Sequence, residues 1–365
     1  MKNKIGFGSW EATTLLVNLV FANIMLVFPR DMVQLGGSAG WMIPVIITLI
    51  AAGYFAITVK LYNNIGSMDL LDISDCIGGR IFKVIIGLLI TIFLILTASI
   101  YLGAFSQTLK IISLDRSSLE YVEVLFLAGM TAAAYFGVEA IARISAFLVP
   151  AVIIGFLLIT VGVIPEFRMN NLFPVMGEGA LEILKGSGVR LSVFAMFVIL
   201  FLMVPFFKKQ LLKKVGFSYV LLSGILLIWS TLSFILVFPY EMAADKKIPV
   251  FQIARHMDFG NYIQRIESIS VLISSICALI FLGAVFNFVI YVFAKTLDLK
   301  QSKPLILPMA IIVFSLSIIS KRVKFDFLGD SITNIIWLLG MVLPLIIIII
   351  GAAKKVGTEG TRRHK

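Results

Sequence analysis

The chain has 365 residues, 60% of them hydrophobic and 14% charged, with a mean hydropathy of +1.04 and a formal net charge of +11. Ordinary globular chains are about 45–50% apolar and about 25% charged, so a water-soluble fold of this size could not hide so much apolar surface. The composition indicates an integral membrane protein. It excludes soluble dehydrogenases, nucleic-acid binders and secreted disulfide scaffolds, and no nucleic-acid partner is expected despite the positive charge.

The opening Met-Lys-Asn-Lys before an apolar stretch imitates a signal peptide. Glu11 interrupts that stretch and no small-x-small cleavage site follows, so it reads as the first transmembrane segment. A spanning helix needs about 20 mostly apolar residues. Ten stretches qualify, at 10–29, 38–60, 82–109, 121–138, 141–164, 188–207, 214–239, 262–294, 304–320 and 331–353. Segments four and five are separated only by Val138–Ile141 and should form a tight hairpin. Longer connections fall at 61–81, 165–187 and 240–261. The chain reads as one transmembrane domain, 1–365, ending in a basic tail at 354–365.

Ten spans place both termini on one side of the membrane. Lys208, Lys209, Lys213 and Lys214 fall on that side, as does the basic tail, which makes it cytoplasmic by the positive-inside rule. The expected fold is an all-α polytopic membrane protein of about ten transmembrane helices. Two five-helix halves necessarily have opposite topology, the inverted-repeat plan of many secondary transporters. A faint internal echo supports it: Gly8-Ser9 to Pro29 in segment one, and Gly186-Ser187 to Pro205 in segment six.

In segment one, Glu11, Thr14 and Asn18 share a helix face, and Asn23 follows just before Phe28-Pro29. Polar groups at membrane depth either line a cavity or bond between helices, and both readings stand for this stripe. Segment three carries a second stripe at Thr97, Tyr101 and Thr108. Segment six offers Phe194 and Phe197 instead, and no carboxylate or amide. Segment eight carries Ser274 among small residues suited to close packing. No ionisable group falls at the predicted middle of any segment, which tells against proton coupling. Glu139 and Arg143 are spaced for an i,i+4 pair. Arg265 and Glu267, two apart, should turn to other partners, such as the 240–261 loop. Cys76, Cys277, His256 and His364 form no ligand grouping, so neither a metal site, a cofactor nor a disulfide is expected. Hydrolase and P-loop motifs are missing, and the chain does not read as an enzyme.

Gly137-Val-Glu139-Ala-Ile-Ala-Arg143, Asn171-Leu-Phe-Pro174-Val, Pro249-Val-Phe-Gln-Ile-Ala-Arg255 and Gln264-Arg265-Ile-Glu267, in this order, resemble the spore germination permease family. These are the B-type membrane subunits of nutrient germinant receptors. The resemblance covers residues 5 to 353 and marks Pro29, Glu139, Arg143, Pro174, Arg255, Arg265 and Glu267 as motif positions. It implies a fold similar to amino acid/polyamine/organocation transporters, with helices one and six broken around a small-molecule site. It also implies an amino acid or similar nutrient as ligand, partnership with an A-type membrane subunit and a C-type lipoprotein, and residence in the spore inner membrane. The ligand-binding candidates are then Asn18, Ala22, Asn23, Tyr101, Phe194, Phe197 and Ser274. Phe21-Ala22-Asn23-Ile24 lacks the glycines that related permeases place at the helix-one break. A secondary amino acid transporter and a structural subunit without ligand are the alternatives.

Overall fold

The computed structural model describes residues 6–63, 65–114, 116–256, 267–322 and 338–354, and every regular element among them is helical. Among the described residues nine helices are long and apolar enough to cross a membrane, and Leu339–Ala353 forms a shorter tenth. The first residues of that tenth segment lie outside the described residues, as do Arg265 and all of the basic tail except Lys354. The fold is that of an all-α polytopic membrane protein.

Helix α1 (Ser9–Leu26) is the axis of the bundle, buried along nearly its whole length. It runs unbroken through Ala22 because Phe21-Ala22-Asn23-Ile24 contains no residue that interrupts a helix. The interruption comes later, at Val27 (φ −137°, ψ −6°), and α2 (Phe28–Gly36) starts immediately. Pro29 therefore opens a second helix where the sequence reading has it closing the first. A proline is tolerated in a first turn because its missing N–H needs no partner there. The same missing N–H leaves the Met25 carbonyl without its i+4 donor.

Helix α3 (Met42–Tyr62) follows, and then α4 (Leu70–Ile112), whose first turns occupy the connection expected at 61–81. At about 1.5 Å per residue such a helix would far exceed the hydrocarbon thickness. Gly79 (φ 70°, ψ −167°) breaks it and sets Leu70–Gly78 apart from the span. Helices α5 (Leu119–Phe136) and α6 (Val138–Gly162) do form a tight hairpin. Its turn is Gly137 alone, at φ 85°; Val138–Ile141 form the first turn of α6 instead.

Segment six is assembled from pieces. Helix α7 (Ala180–Arg190) contains Gly186 and Gly188, a 3₁₀ stretch spans Leu191–Met196, and α8 is Phe197–Leu202. Leu-Ser-Val-Phe-Ala-Met holds no helix breaker, so packing imposes the tighter winding. In a 3₁₀ helix residues i and i+3 eclipse, and this stacks Phe194 on Phe197 with centroids 6.0 Å apart. Both then meet Tyr219 of α9 (Leu212–Val237), at 6.0 and 5.3 Å. Pro205 lies beyond α8, in the first turn of a 3₁₀ helix at Val204–Phe206, much as Pro29 lies beyond α1 in the first turn of α2.

The connection at 240–261 carries α10 (Tyr240–Ala243) and α11 (Pro249–His256). Helices α12 (Glu267–Thr296), α13 (Ile306–Arg322) and α14 (Leu343–Ala353) complete the bundle. Helices α4 and α12 pack so closely that a Cβ at Gly87 would lie 1.9 Å from Thr296 Oγ1.

Two sets of contacts close the ends. On the face holding the start of α1, the Phe206 carbonyl accepts the Gly6 and Phe7 amides at 2.9 and 3.3 Å. Beside it, Lys295 Nζ lies 2.6 Å from Asp69 Oδ2 and 2.7 Å from Asp72 Oδ1. On the opposite face, Arg30 and Gln34 both donate to the Ala244 carbonyl at 3.0 Å, and Ser38 donates to the Pro174 carbonyl at 2.6 Å.

Candidate functional site

The interrupted helices meet on that second face. Asp31, in the first turn of α2, is buried and lies 2.9 Å from Nη1 of Arg190, the last residue of α7. One charge thus stands just after the break in helix one, and the other just before the 3₁₀ stretch of segment six. Arg190 Nε is buried and has no hydrogen-bond partner among the described residues. Tyr101 of α4 lies within electrostatic reach of both charges and donates its hydroxyl to Asn23 Oδ1. Its ring stacks on Phe281 of α12 at 4.2 Å. Ser274 Oγ approaches Met25 Sδ at 3.7 Å, against the last turn of α1. Asn23 Nδ2 is satisfied within its own helix, by the Leu19 and Val20 carbonyls.

The candidate residues therefore divide. Asn23, Tyr101 and Ser274 gather around the end of α1. Phe194 and Phe197 belong to a separate aromatic cluster with the fully buried Phe55 and Tyr219 and the partly buried Tyr54. Asn18 bonds the Cys277 carbonyl at 3.1 Å, joining α1 to α12, while its Oδ1 is buried without a partner among the described residues. Ala22 is buried inside α1, away from any break.

The rest of the α1 stripe is bonded elsewhere. Glu11 accepts the Gly8 amide at 3.1 Å, and Thr14 pairs with Ser145 of α6 at 3.3 Å. Thr97 donates to the Phe93 carbonyl, whereas Thr108 lines a shallow cleft with Phe105, Phe126, Ser274 and Ser275. Buried hydroxyls without partners among the described residues also occur at Ser106, Tyr219 and Ser223. Such groups are costly at membrane depth, and Tyr219 adjoins the 3₁₀ stretch.

Among the motif positions, Glu139 and Arg143 lie 3.9 Å apart at the exposed start of α6, and Arg143 also reaches the Gly6 carbonyl at 3.4 Å. Pro174 receives Ser38, Arg255 is exposed in the last turn of α11, and Glu267 opens α12. Sequence reasoning missed Asp31 and Asp69 outright, and Glu123, which accepts Ser317 Oγ at 2.7 Å. All three are buried near helix starts, where a carboxylate looks like an ordinary cap or first-turn residue. Among the described residues no group of three or more His, Cys, Asp or Glu could hold a metal ion.

Comparison with known proteins places this geometry in context. A family model described as spore germination protein matches residues 9–325. The chain is similar to spore germination protein YndE of Bacillus subtilis (strain 168), 23% identical over 96% of this chain and 97% of the relative. It is also similar to spore germination protein B2 of the same organism, 24% identical over 53% of each chain. Among solved structures it resembles Mhp1, a nucleobase-cation-symport-1 family transporter in a closed conformation with bromovinylhydantoin bound. The TM-score is 0.65 at 12% identity, covering 91% of this chain and 75% of the transporter, so the likeness is one of fold. With a transporter-like bundle interrupted in its first and sixth spans, and a family match over residues 9–325, the chain belongs to the spore germination permease family.

Proposed function

We propose that this chain is the nutrient-sensing membrane subunit of a spore germinant receptor. It forms a single transmembrane domain in the spore inner membrane, with both termini and the basic 354–365 tail in the cytoplasm. It binds an amino acid in the bundle core and passes a change of shape to an A-type membrane subunit and a C-type lipoprotein. The mechanism is population shift: the ligand binds one arrangement of the half-helices better than another, and the partners read that arrangement. The observation that carries this reading is the meeting of α2 and α7 across one ion pair, with Asn23 and Tyr101 alongside. A small molecule held there touches both interrupted helices at once. No enzymatic step is part of the reading.

The second reading, a secondary active amino acid transporter, draws on the likeness to Mhp1. A labelled amino acid panel, scored for both binding and uptake by the purified chain in liposomes, tests the choice. Saturable binding without accumulation is expected. Accumulation driven by a proton or sodium gradient would make the chain a transporter, and neither signal would favour a structural subunit.

A further inference from the structure

We infer that Asp31 and Arg190 read the two charges of a zwitterionic α-amino acid, the carboxylate docking on Arg190 and the ammonium on Asp31 as their mutual contact opens. The inference rests on the proposed amino acid site and assigns its polar anchors.

The pair differs from a purely structural tie in its geometry. An Arg–carboxylate pair that serves only to hold two helices gains most from the two-pronged fork. Here the close approach is Nη1 to Oδ2 at 2.9 Å, and Nε is buried with no hydrogen bond. A carboxylate taking Nε together with a terminal nitrogen would satisfy that orphan donor. The neighbouring cation, Arg30, is bonded through Nε to the Ala244 carbonyl and acts on Asp31 through space, without a close ion pair.

An ammonium brings three donors. Asp31 accepts from one, and the Asn23 Oδ1 that now takes the Tyr101 hydroxyl is an acceptor for another. The charge balance also fits: a neutral pair receives a net-neutral ligand, and two new ion pairs replace one. A molecule with a single charge would leave either Asp31 or Arg190 uncompensated in a poorly solvated site. The placement adds a consequence for sensing. Asp31 belongs to α2 and Arg190 to α7, so an inserted amino acid bridges the half-helices at a wider spacing than the direct pair.

The test uses the purified full chain in lipid nanodiscs, titrated calorimetrically with the twenty proteinogenic L-amino acids. The N-acetyl and carboxamide derivatives of the tightest binder follow, each removing one charge. Each derivative is expected to bind about tenfold weaker or worse. In Asp31→Asn the N-acetyl penalty should shrink to threefold or less, and in Arg190→Gln the carboxamide penalty should do the same, roughly the signature of a lost pairwise term. A merely structural pair would lower stability without erasing either discrimination. Amino acid binding with both discriminations intact in the variants overturns this inference and leaves the sensing function standing. Equal binding of both derivatives by the unmutated chain also overturns it, whether or not the variants fold. Absence of binding by all twenty overturns the inference and the proposed function together.

Discussion

Asp69 and Asp31 are both buried carboxylates near helix starts, each paired with a cation, yet the protein treats them differently. Asp69 is fully buried and fully employed. Its Oδ1 accepts the Leu71 and Asp72 amides at 3.0 Å, capping α4, and its Oδ2 accepts Tyr291 and Lys295 at 2.6 Å. Asp31 has one close ion-pair partner, and that partner keeps a buried nitrogen unbonded. A buried charge that is satisfied on every side anchors a fold, whereas one held by a single contact can exchange its partner at small cost. The first face of the bundle is built as a fixture and the second as a contact that can be remade.

Mutation should separate the two. Asp69→Ala removes a cap and strands Lys295 and Tyr291, a loss on the order of 3–5 kcal/mol. It should appear as failure to accumulate, or as a large drop in thermal unfolding temperature in detergent. Asp31→Asn faces a pair whose arginine side chain is 31% exposed, and screening reduces the cost to roughly 1–2 kcal/mol. Equal or larger damage at Asp31 would break the comparison. Tyr101→Phe deletes the hydrogen bond to Asn23 while keeping the stack on Phe281, and should cost about 1 kcal/mol. Its effect on ligand affinity should exceed its effect on stability.

The smallest effect belongs to the Lys83–Asp298 pair at 2.5 Å, which sits at the rim of the first face. The hydrogen bond from Lys83 holds the Asp298 carboxyl below its ordinary pKa of 3.8. A carboxyl depressed in the folded state stabilises above its unfolded pKa, and the benefit fades as pH falls through the lower folded value. Because Asp298 is 53% exposed, the stability gap between the parent and Asp298→Asn should stay below about 1 kcal/mol. That gap should be constant at neutral pH and close only below the ordinary carboxylate range. Unfolding curves recorded from neutral to acid pH would reveal it, and a gap that closes near neutrality would contradict the depressed Asp298 carboxyl.

The spans were legible in the sequence because apolar length alone dictates them, and the α5/α6 hairpin because two apolar runs nearly touch, although its turn lies at Gly137 and not at the expected Val138–Ile141. The breaks were harder. Pro29 can end one helix or begin the next, and only the surrounding helices choose. Leu191–Met196 carries no breaker at all; the stacking of Phe194 and Phe197 against Tyr219 winds it tighter, and those contacts are invisible locally. Asp31 meets Arg190, and Asp69 meets Lys295, across large sequence separations that no spacing rule connects. Asn23 and Tyr101 could be singled out as polar groups in apolar runs, but not as partners of each other.

The interruption at Val27 divides the first span into unequal lengths with different attachments. Helix α1 is wedged among α6, α9 and α12, while α2 packs against α7 and α9 and is also fastened to the surface loops through Arg30, Gln34 and Ser38. A joint at one residue lets nine residues swing as a lever while the eighteen before them stay seated. Any movement of α2 is then limited by the reach of those loops together with its packing on α7 and α9.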